Sequence, residues 1–517
     1  KNYDNILTDI KELQSKYPDL IEVTTAQEKF DLPSPGMCGE AKCVTPIVYL
    51  TNHKIDNTYK PQVYISGEVH GNERVGPTTT LEFIRLVLEN YELNDFIKNL
   101  LDQRYLVISP MTNAQGYHDN HREETVEPKV HLDPNRDFPF DLTDYSKCMQ
   151  TVAARTVNEL FISQLFQLAF TFHGGINVIG YVWGAPRHMI RHSQKSTEAP
   201  DFSAAQEISV LLHNVASKSR HTEEYILGTM TETVYEVRGG MEDWAYGAGW
   251  ETSATQSCTP TTYNGYSSDK TNYSEHHPEA LKTLMYLIET STQKTPSSKD
   301  LGTKDLTCLL NLFRDPFNED NASYCDIYHQ DGHITRNIRM MLVLSDLAKA
   351  TVWTSHSVDR AGGVVTLQWY VRGAFDVDET YVRYGVREKD DGDVADRFDD
   401  VVKDGSEKGW KLDMLEEVFP YQSVVSQGKG YWNRDGVTVF SWRSEILALL
   451  EDLDDRVVDF VVVARVDGHF GDQQKPDPAL DPQSHFARSR LEPEYTAENA
   501  EFKVFNQYYV VSEPISI

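Results

Sequence analysis

His70 and Glu73 stand three residues apart in QVYISGEVHGNER, where an apolar run gives way to glycine and polar residues. An imidazole and a carboxylate at this spacing, on a strand-to-helix turn, can converge on one cation. A catalytic zinc takes such a pair with a second histidine and keeps its fourth position for water or substrate. His173 fits as that histidine: it closes the apolar run LAFTF, and Gly174 and Gly175 after it let backbone approach an ion. Both histidines fall at strand ends, where open α/β sheets bind their ligands. The chemistry implied is that of one catalytic Zn2+ with water in its fourth position.

The elements that must carry these residues are legible from periodicity. Residues 3–17 place Ile6, Ile10, Leu13 and Tyr17 at helical spacing before Pro18. Residues 47–51, 62–69 and 104–110 read as strands, and 77–92, with Pro77 in the first turn, as a helix. Residues 152–172 read as a helix running into a short buried strand. Strands alternating with helices predict an α/β domain whose mixed, mostly parallel sheet is flanked by helices. The texture changes near residue 300, where KTPSSKDLGTK (294–304) is polar and turn-rich. Beyond it, 364–373, 380–386, 437–443, 459–466 and 502–511 alternate and are rich in Val, Tyr and Trp, predicting a β-rich sandwich-like domain. The expected division is 1–300, a disulfide-linked connector over 301–330, and 331–517. No internal repeat is seen, and the acidic loops DVDETY and KDDGDVADRFDD lack EF-hand spacing.

At 517 residues the chain exceeds one ordinary core. Acidic residues outnumber basic ones 79 to 49, for a net charge of −30. That field repels nucleic acid and anionic membranes and attracts cationic peptides. No apolar run is long enough to span a membrane. Cys38, Cys43, Cys148, Cys258, Cys308 and Cys325 include no CxxC pair, so a thiolate zinc site is not expected. Six cysteines allow fifteen pairings; proximity favours Cys38 with Cys43 and Cys308 with Cys325, leaving Cys148 with Cys258. Disulfides imply an oxidising compartment, and the sequons at Asn272 and Asn321 agree. With Lys1 in place of an initiator methionine, the expectation is a processed chain, secreted or at the cell surface.

From residue 3 to about 293 the sequence resembles the zinc carboxypeptidases of the M14 family, and within it the regulatory branch that includes carboxypeptidases M, N, E and D. KPQVYISGEVHGNERVG is similar to that family's first zinc motif, MTNAQGYH to its MNPDGY segment and HLDPNRDFP to its DLNRNFP segment. FHGGINVIGYVWG resembles HGGxxVxxYP, and YEVRGGMEDWAY resembles YxVxGGMQDWNY. The resemblance implies that His70, Glu73 and His173 bind zinc. It implies that Asn135 and Arg136 hold the terminal carboxylate of a peptide or protein, a task suited to a planar guanidinium. Tyr235 would close over the substrate, and Arg122 is the candidate to polarise the scissile carbonyl.

One segment departs from the family. Its general base is a glutamate in a strand reading FEVTLELSC, and matching this to WETSATQSC (250–258) puts Thr255 at the base position. Threonine cannot accept water's proton near neutral pH, and losing a general base costs about 10²–10⁴-fold in rate. Glu251 is a possible substitute, although four residues along a strand put it roughly 13 Å away. Glu242, where relatives carry glutamine, could substitute or could line a pocket favouring C-terminal Lys or Arg. Two readings follow: an active metallocarboxypeptidase, or a zinc-binding pseudopeptidase serving as a peptide-binding or structural module of an extracellular assembly. The partners of the second domain cannot be read from the sequence.

Overall fold

The computed structural model describes residues 1–302 apart from 59, 217–222, 252, 260–265 and 273–281, then 332–373, 376–388, 439–444, 456–467, 507–512 and 515–517. Two compact units divide them, one running through Ala348 and the other beginning at Lys349.

The first unit is built on eight strands: β1 (Ile21–Thr25), β2 (Pro46–Leu50), β3 (Gln62–Ser66), β4 (Tyr105–Ser109), β5 (Phe166–His173), β6 (Asn177–Tyr181), β7 (Ile226–Thr229) and β8 (Leu284–Thr290). They lie in the order β1-β2-β4-β3-β5-β8-β6-β7. The central strands β4, β3, β5 and β8 are mutually parallel, whereas β1, β2 and β4 pair antiparallel and β6 runs against β8. Strands buried on both faces need continuous apolar runs, and YLVIS and LAFTF supply them. The carboxyl ends of β3, β5 and β8 therefore open on one edge of the sheet.

Helices cover the faces: α1 (Tyr3–Lys16), α2 (Val75–Asn90), α3 (Asp95–Gln103), α4 (Val152–Ser163), α5 (Phe202–Ala216) and α6 (Met241–Gly247). In α1 the Asn2 side chain accepts from the Asn5 amide at 2.8 Å, and Ile6, Ile10 and Leu13 form the buried stripe. At α4 two buried carboxylates meet the helix N-terminus, where unpaired amides attract negative charge. Glu124 accepts from the amides of Val152 (2.7 Å) and Ala153 (3.0 Å), and Asp137 from those of Gln150 (2.8 Å) and Thr151 (2.7 Å). The segment around Asn135 and Arg136 is thereby tied to α4.

A seventh helix, α7 (His333–Leu347), falls where the β-rich domain was expected to begin. It packs against α2 and α5 in the first unit. The helix is buried nearly all round, so it lacks the one-sided pattern that identifies a helix in sequence.

The second unit holds β9 (Thr351–Asp359), β10 (Val364–Arg372), β11 (Asp376–Glu388), β12 (Phe440–Ser444), β13 (Arg456–Asp467), β14 (Gln507–Val511) and β15 (Ile515–Ser516). One antiparallel sheet runs β9-β10-β12; the other runs β11-β13-β14, with β15 also on β13. Every second residue of β10 (Val365, Leu367, Trp369, Val371) and of β13 (Val458, Phe460, Val462, Ala464) enters one apolar core, the period-two burial of a sandwich.

Cys38 pairs with Cys43 and Cys148 with Cys258. Cys308, Cys325 and the sequon at Asn321 lie outside the described residues. Asn272 ends a short 3-10 turn, Ser268–Thr271, and is partly exposed. Among the described residues no helix is long and apolar enough to cross a membrane.

Candidate active site

The chain leaves β3 at Ser66 and makes a tight loop before α2, which presents His70 and Glu73. Gly71 is needed here because a Cβ on it would sit 1.9 Å from the Gly116 carbonyl carbon. His173 is the last residue of β5, and Gly175, two residues on, has φ +144°, a conformation that disfavours side chains. The two ring Nδ1 atoms lie 3.1 Å apart. Glu73 Oε2 is 3.1 Å from His70 Nδ1 and 3.2 Å from His173 Nδ1. All three residues are buried.

This triangle fits zinc. Tetrahedral bonds of about 2.0–2.1 Å set ligand atoms about 3.3 Å apart. The other ring nitrogens are occupied: His70 Nε2 lies 3.0 Å from Asp133 Oδ1, and His173 Nε2 lies 3.3 Å from Glu242 Oε1. With Nε2–H donated to those carboxylates, both Nδ1 lone pairs face each other and the Glu73 oxygen, an arrangement suited to a cation. The electrostatics agree. Burial works to raise the Glu73 carboxyl, yet the two imidazoles hold it well below the usual range. Burial works to lower His173, but Glu242 and Glu73 bring it up to about 10, so the site favours positive charge.

Both arginines anticipated from the sequence reach the same cavity, with Asn135 and Tyr235. Arg122 donates to Asp133 through Nε (3.1 Å) and Nη2 (2.8 Å), and its Nη1 lies 3.0 Å from His70 Nδ1 and 3.4 Å from Glu73 Oε1. Asn135 and Arg136 sit on a single 3-10 turn, whose start Asp133 caps by accepting the Asn135 amide at 2.9 Å. Arg136 Nη2 donates to the Tyr235 hydroxyl at 3.2 Å, and Tyr235 is 51% exposed, at the cavity rim. Asn135 Nδ2 donates to both Glu242 oxygens (3.4 and 3.3 Å), and its Oδ1 accepts the Met241 amide at 2.7 Å. Glu242 thus reaches both His173 and Asn135. Burial would raise its carboxyl, but His173 and Asn135 hold it low.

Thr255 and Glu251 are elsewhere. The described part of 250–258 forms turns, not the expected strand, and Thr255 makes one isolated bridge with Phe140. Its hydroxyl donates to the Glu251 carbonyl at 3.2 Å. Glu251 is taken up by His188 Nε2 (2.9 Å) and Arg187 Nε (3.3 Å). Neither residue lines the cavity.

A different glutamate does. Glu289, near the end of β8, is the register partner of His173 on the parallel neighbour β5, so both project from the same face. It lines the cavity with His70, Arg122 and Arg136, and its Oε2 is buried without a hydrogen-bond partner among the described residues. Burial pushes its carboxyl up and Glu73 adds to this, while His173, His70 and Lys294 oppose it. Sequence reasoning missed both Glu289 and Asp133. The available signal for the first was the run LMYLIE, an apolar strand ending on an acid before polar residues. For the second it was the acid two residues before Asn135.

An eight-stranded mixed sheet thus carries a two-histidine, one-carboxylate cluster at its strand ends. Residues 36–282 match the zinc carboxypeptidase family Peptidase_M14. Those residues, a little under half of the chain, thus resemble a zinc carboxypeptidase domain of that family. Carboxypeptidase SOL1 of Arabidopsis thaliana is 26% identical over 190 residues, 36% of this chain and 37% of that protein. Carboxypeptidase D of Homo sapiens is 26% identical over 202 residues, 36% of this chain and 14% of that protein. The chain therefore spans well under two thirds of the length of either relative. Carboxypeptidase A from Helicoverpa armigera aligns in structure with a TM-score of 0.39 and 15% identity, over 54% of this chain and 70% of that one.

Proposed function

We propose that the first unit is an active metallocarboxypeptidase that removes single residues from the C-termini of peptides or proteins, with Glu289 as general base. The observation that carries this reading is Glu289 itself, which shares a cavity with the ligand cluster and the guanidinium of Arg136. Asn135 and Arg136 would hold the free carboxylate, and Tyr235 at the rim would close over it. Arg122, braced by Asp133, would face the carbonyl oxygen of the last peptide bond. Zinc, held by His70, Glu73 and His173, would supply a Lewis acid that makes water acidic and polarises that carbonyl. Glu289 would take the proton from water and return it to the departing amine.

The pseudopeptidase alternative rested on Thr255 standing for the base, and Thr255 lies away from the cavity. For specificity, the cavity combines apolar Met230, Val234, Val237 and Leu287 with the buried acids Glu242 and Asp243. Aliphatic walls with acids suit a C-terminal Lys or Arg side chain. The two disulfides and the partly exposed Asn272 favour work outside the cytosol.

Peptides of one sequence ending in Arg, Lys, Leu or Asp, and an amidated control, would be incubated with zinc-loaded protein and read by mass spectrometry. We expect loss of one residue, fastest for Arg and Lys and absent from the amide. Internal cleavage, or no cleavage beyond that of a His70→Ala control, would overturn the assignment.

A further inference from the structure

Tyr235 has little of its own to hold it at the cavity rim. Its hydroxyl accepts from Arg136 Nη2 at 3.2 Å, the one hydrogen bond of its side chain among the described residues. The Arg136 guanidinium carbon lies 5.7 Å from the centre of its ring. The loop that carries it is anchored three residues on. Val234, Tyr235, Val237 and Gly240 line the cavity, whereas Arg238 turns away from it. Arg238 Nη1 donates to the Asp141 carbonyl at 2.7 Å and lies 3.0 Å from Asp141 Oδ2. Asp141 has a left-handed backbone, φ +48°, and its Oδ2 also accepts the Arg187 amide at 3.1 Å. Backbone bonds surround this pair. The Gly239 amide donates to the Phe140 carbonyl (3.0 Å), the Phe138 amide to the Gly239 carbonyl (3.1 Å) and the Val237 amide to the Gly184 carbonyl (2.8 Å). Gly239 has φ +67°, and a Cβ on it would sit 2.4 Å from the Arg136 carbonyl oxygen. The anchored end of the loop therefore lies against the backbone of the same arginine that its free end touches through Tyr235.

An ion pair whose arginine is 43% exposed adds little to stability, so stability does not explain its place. A residue that closes over a substrate must be aimed by the fixed end of its loop, and a misplacement of about 1 Å can cost about 10²-fold. We propose that Arg238, held by Asp141, is a positioning residue that sets the pivot of the Tyr235 loop. It thereby sets how closely Tyr235 meets a substrate's terminal carboxylate beside Arg136. This rests on the reading of Asn135, Arg136 and Tyr235 as the clamp of a carboxypeptidase. Neither Arg238 nor Asp141 lines the cavity, so their effect on a substrate passes through Tyr235. The contrasting view is an ordinary surface ion pair with no bearing on the clamp.

The test measures kcat and KM for release of the last residue of a peptide by the zinc-loaded full chain and by Arg238→Met and Arg238→Lys. Each is made with Tyr235 present and with Tyr235→Ala, and thermal melts accompany the rates. Methionine keeps an unbranched stem and removes the charge; lysine keeps the charge. With Tyr235 present, Arg238→Met should raise KM several-fold while kcat and Tm stay close to those of the unmodified chain. Arg238→Lys should recover most of the original KM. In the Tyr235→Ala background Arg238→Met should change KM no further, because coupled residues do not act additively. An equal rise in that background, or no rise with Tyr235 present, would overturn the role of Arg238 and leave the carboxypeptidase reading standing. Release of no residue by the unmodified chain would overturn both.

Discussion

His70 and His173 each use both ring nitrogens, and the carboxylates behind them decide how well the front ones serve. Asp133 fixes His70 and also holds Arg122, so one acid aligns a ligand and a guanidinium. Removing such a partner typically weakens metal affinity about 10–100-fold. Asp133→Ala should show a loss of that size in a chelator competition with zinc; affinity equal to the unmodified chain would contradict the role. The proposed ligands and carboxylate clamp were legible because each sits in a short motif whose spacing survives any change elsewhere in the chain. The proposed base was not. Matching WETSATQSC to the family strand aligns Cys258 with a cysteine at the end of that strand, but here Cys258 is bonded to Cys148 in a turn-rich segment. β8 does not begin until Leu284, so a match made at the usual distance from Tyr235 falls short of it.

Helix α7 links the part of the chain beyond the connector to the strands that carry the site. Arg336, fully buried, donates through Nη2 to the Thr290 carbonyl (2.6 Å) and Asn177 Oδ1 (2.8 Å), and through Nη1 to the Glu223 carbonyl (2.7 Å). Its guanidinium also lies 4.0 Å from the centre of the Tyr225 ring. It therefore ties the residue after Glu289 to the start of β6. His333, one turn before it, is pushed down to about 4 by burial and then by the Arg336 charge. The ring is neutral in the fold, while the unfolded chain takes up a proton near pH 6.5. Stability should therefore be complete above about pH 6.5 and decline toward pH 4, by at most about 3 kcal/mol from this residue. Thermal melts of His333→Gln should fall less between pH 7 and pH 4 than those of the unmodified chain; equal falls would contradict the assignment. The amphipathic helices and the buried strands were readable from their periods. α7 was not, because buried arginine, asparagine and histidine interrupt its apolar surface on every side.

At the scale of the whole molecule the chain joins an α/β unit to a β-sandwich unit, and the change of texture after residue 300 announces that division. The alternation in β10 and β13 was enough to foresee the sandwich, since a half-buried strand has no other way to place its side chains. The extent of the first unit was harder to read, because α7 returns to it after the connector. A net charge of −30 suits a protein that meets basic peptide ends, and by steering it would make capture sensitive to salt. The proposed activity depends above all on whether Glu289 serves as the base. The direct measurement is the rate at which the zinc-loaded full chain, Glu289→Gln and Thr255→Ala release the last residue of a peptide, with bound zinc quantified in each. Glu289→Gln should be slower by about 10²–10⁴-fold with its zinc retained, and Thr255→Ala should match the unmodified chain. A Glu289→Gln protein that keeps its rate, or a Thr255→Ala protein that loses it, would contradict the assignment.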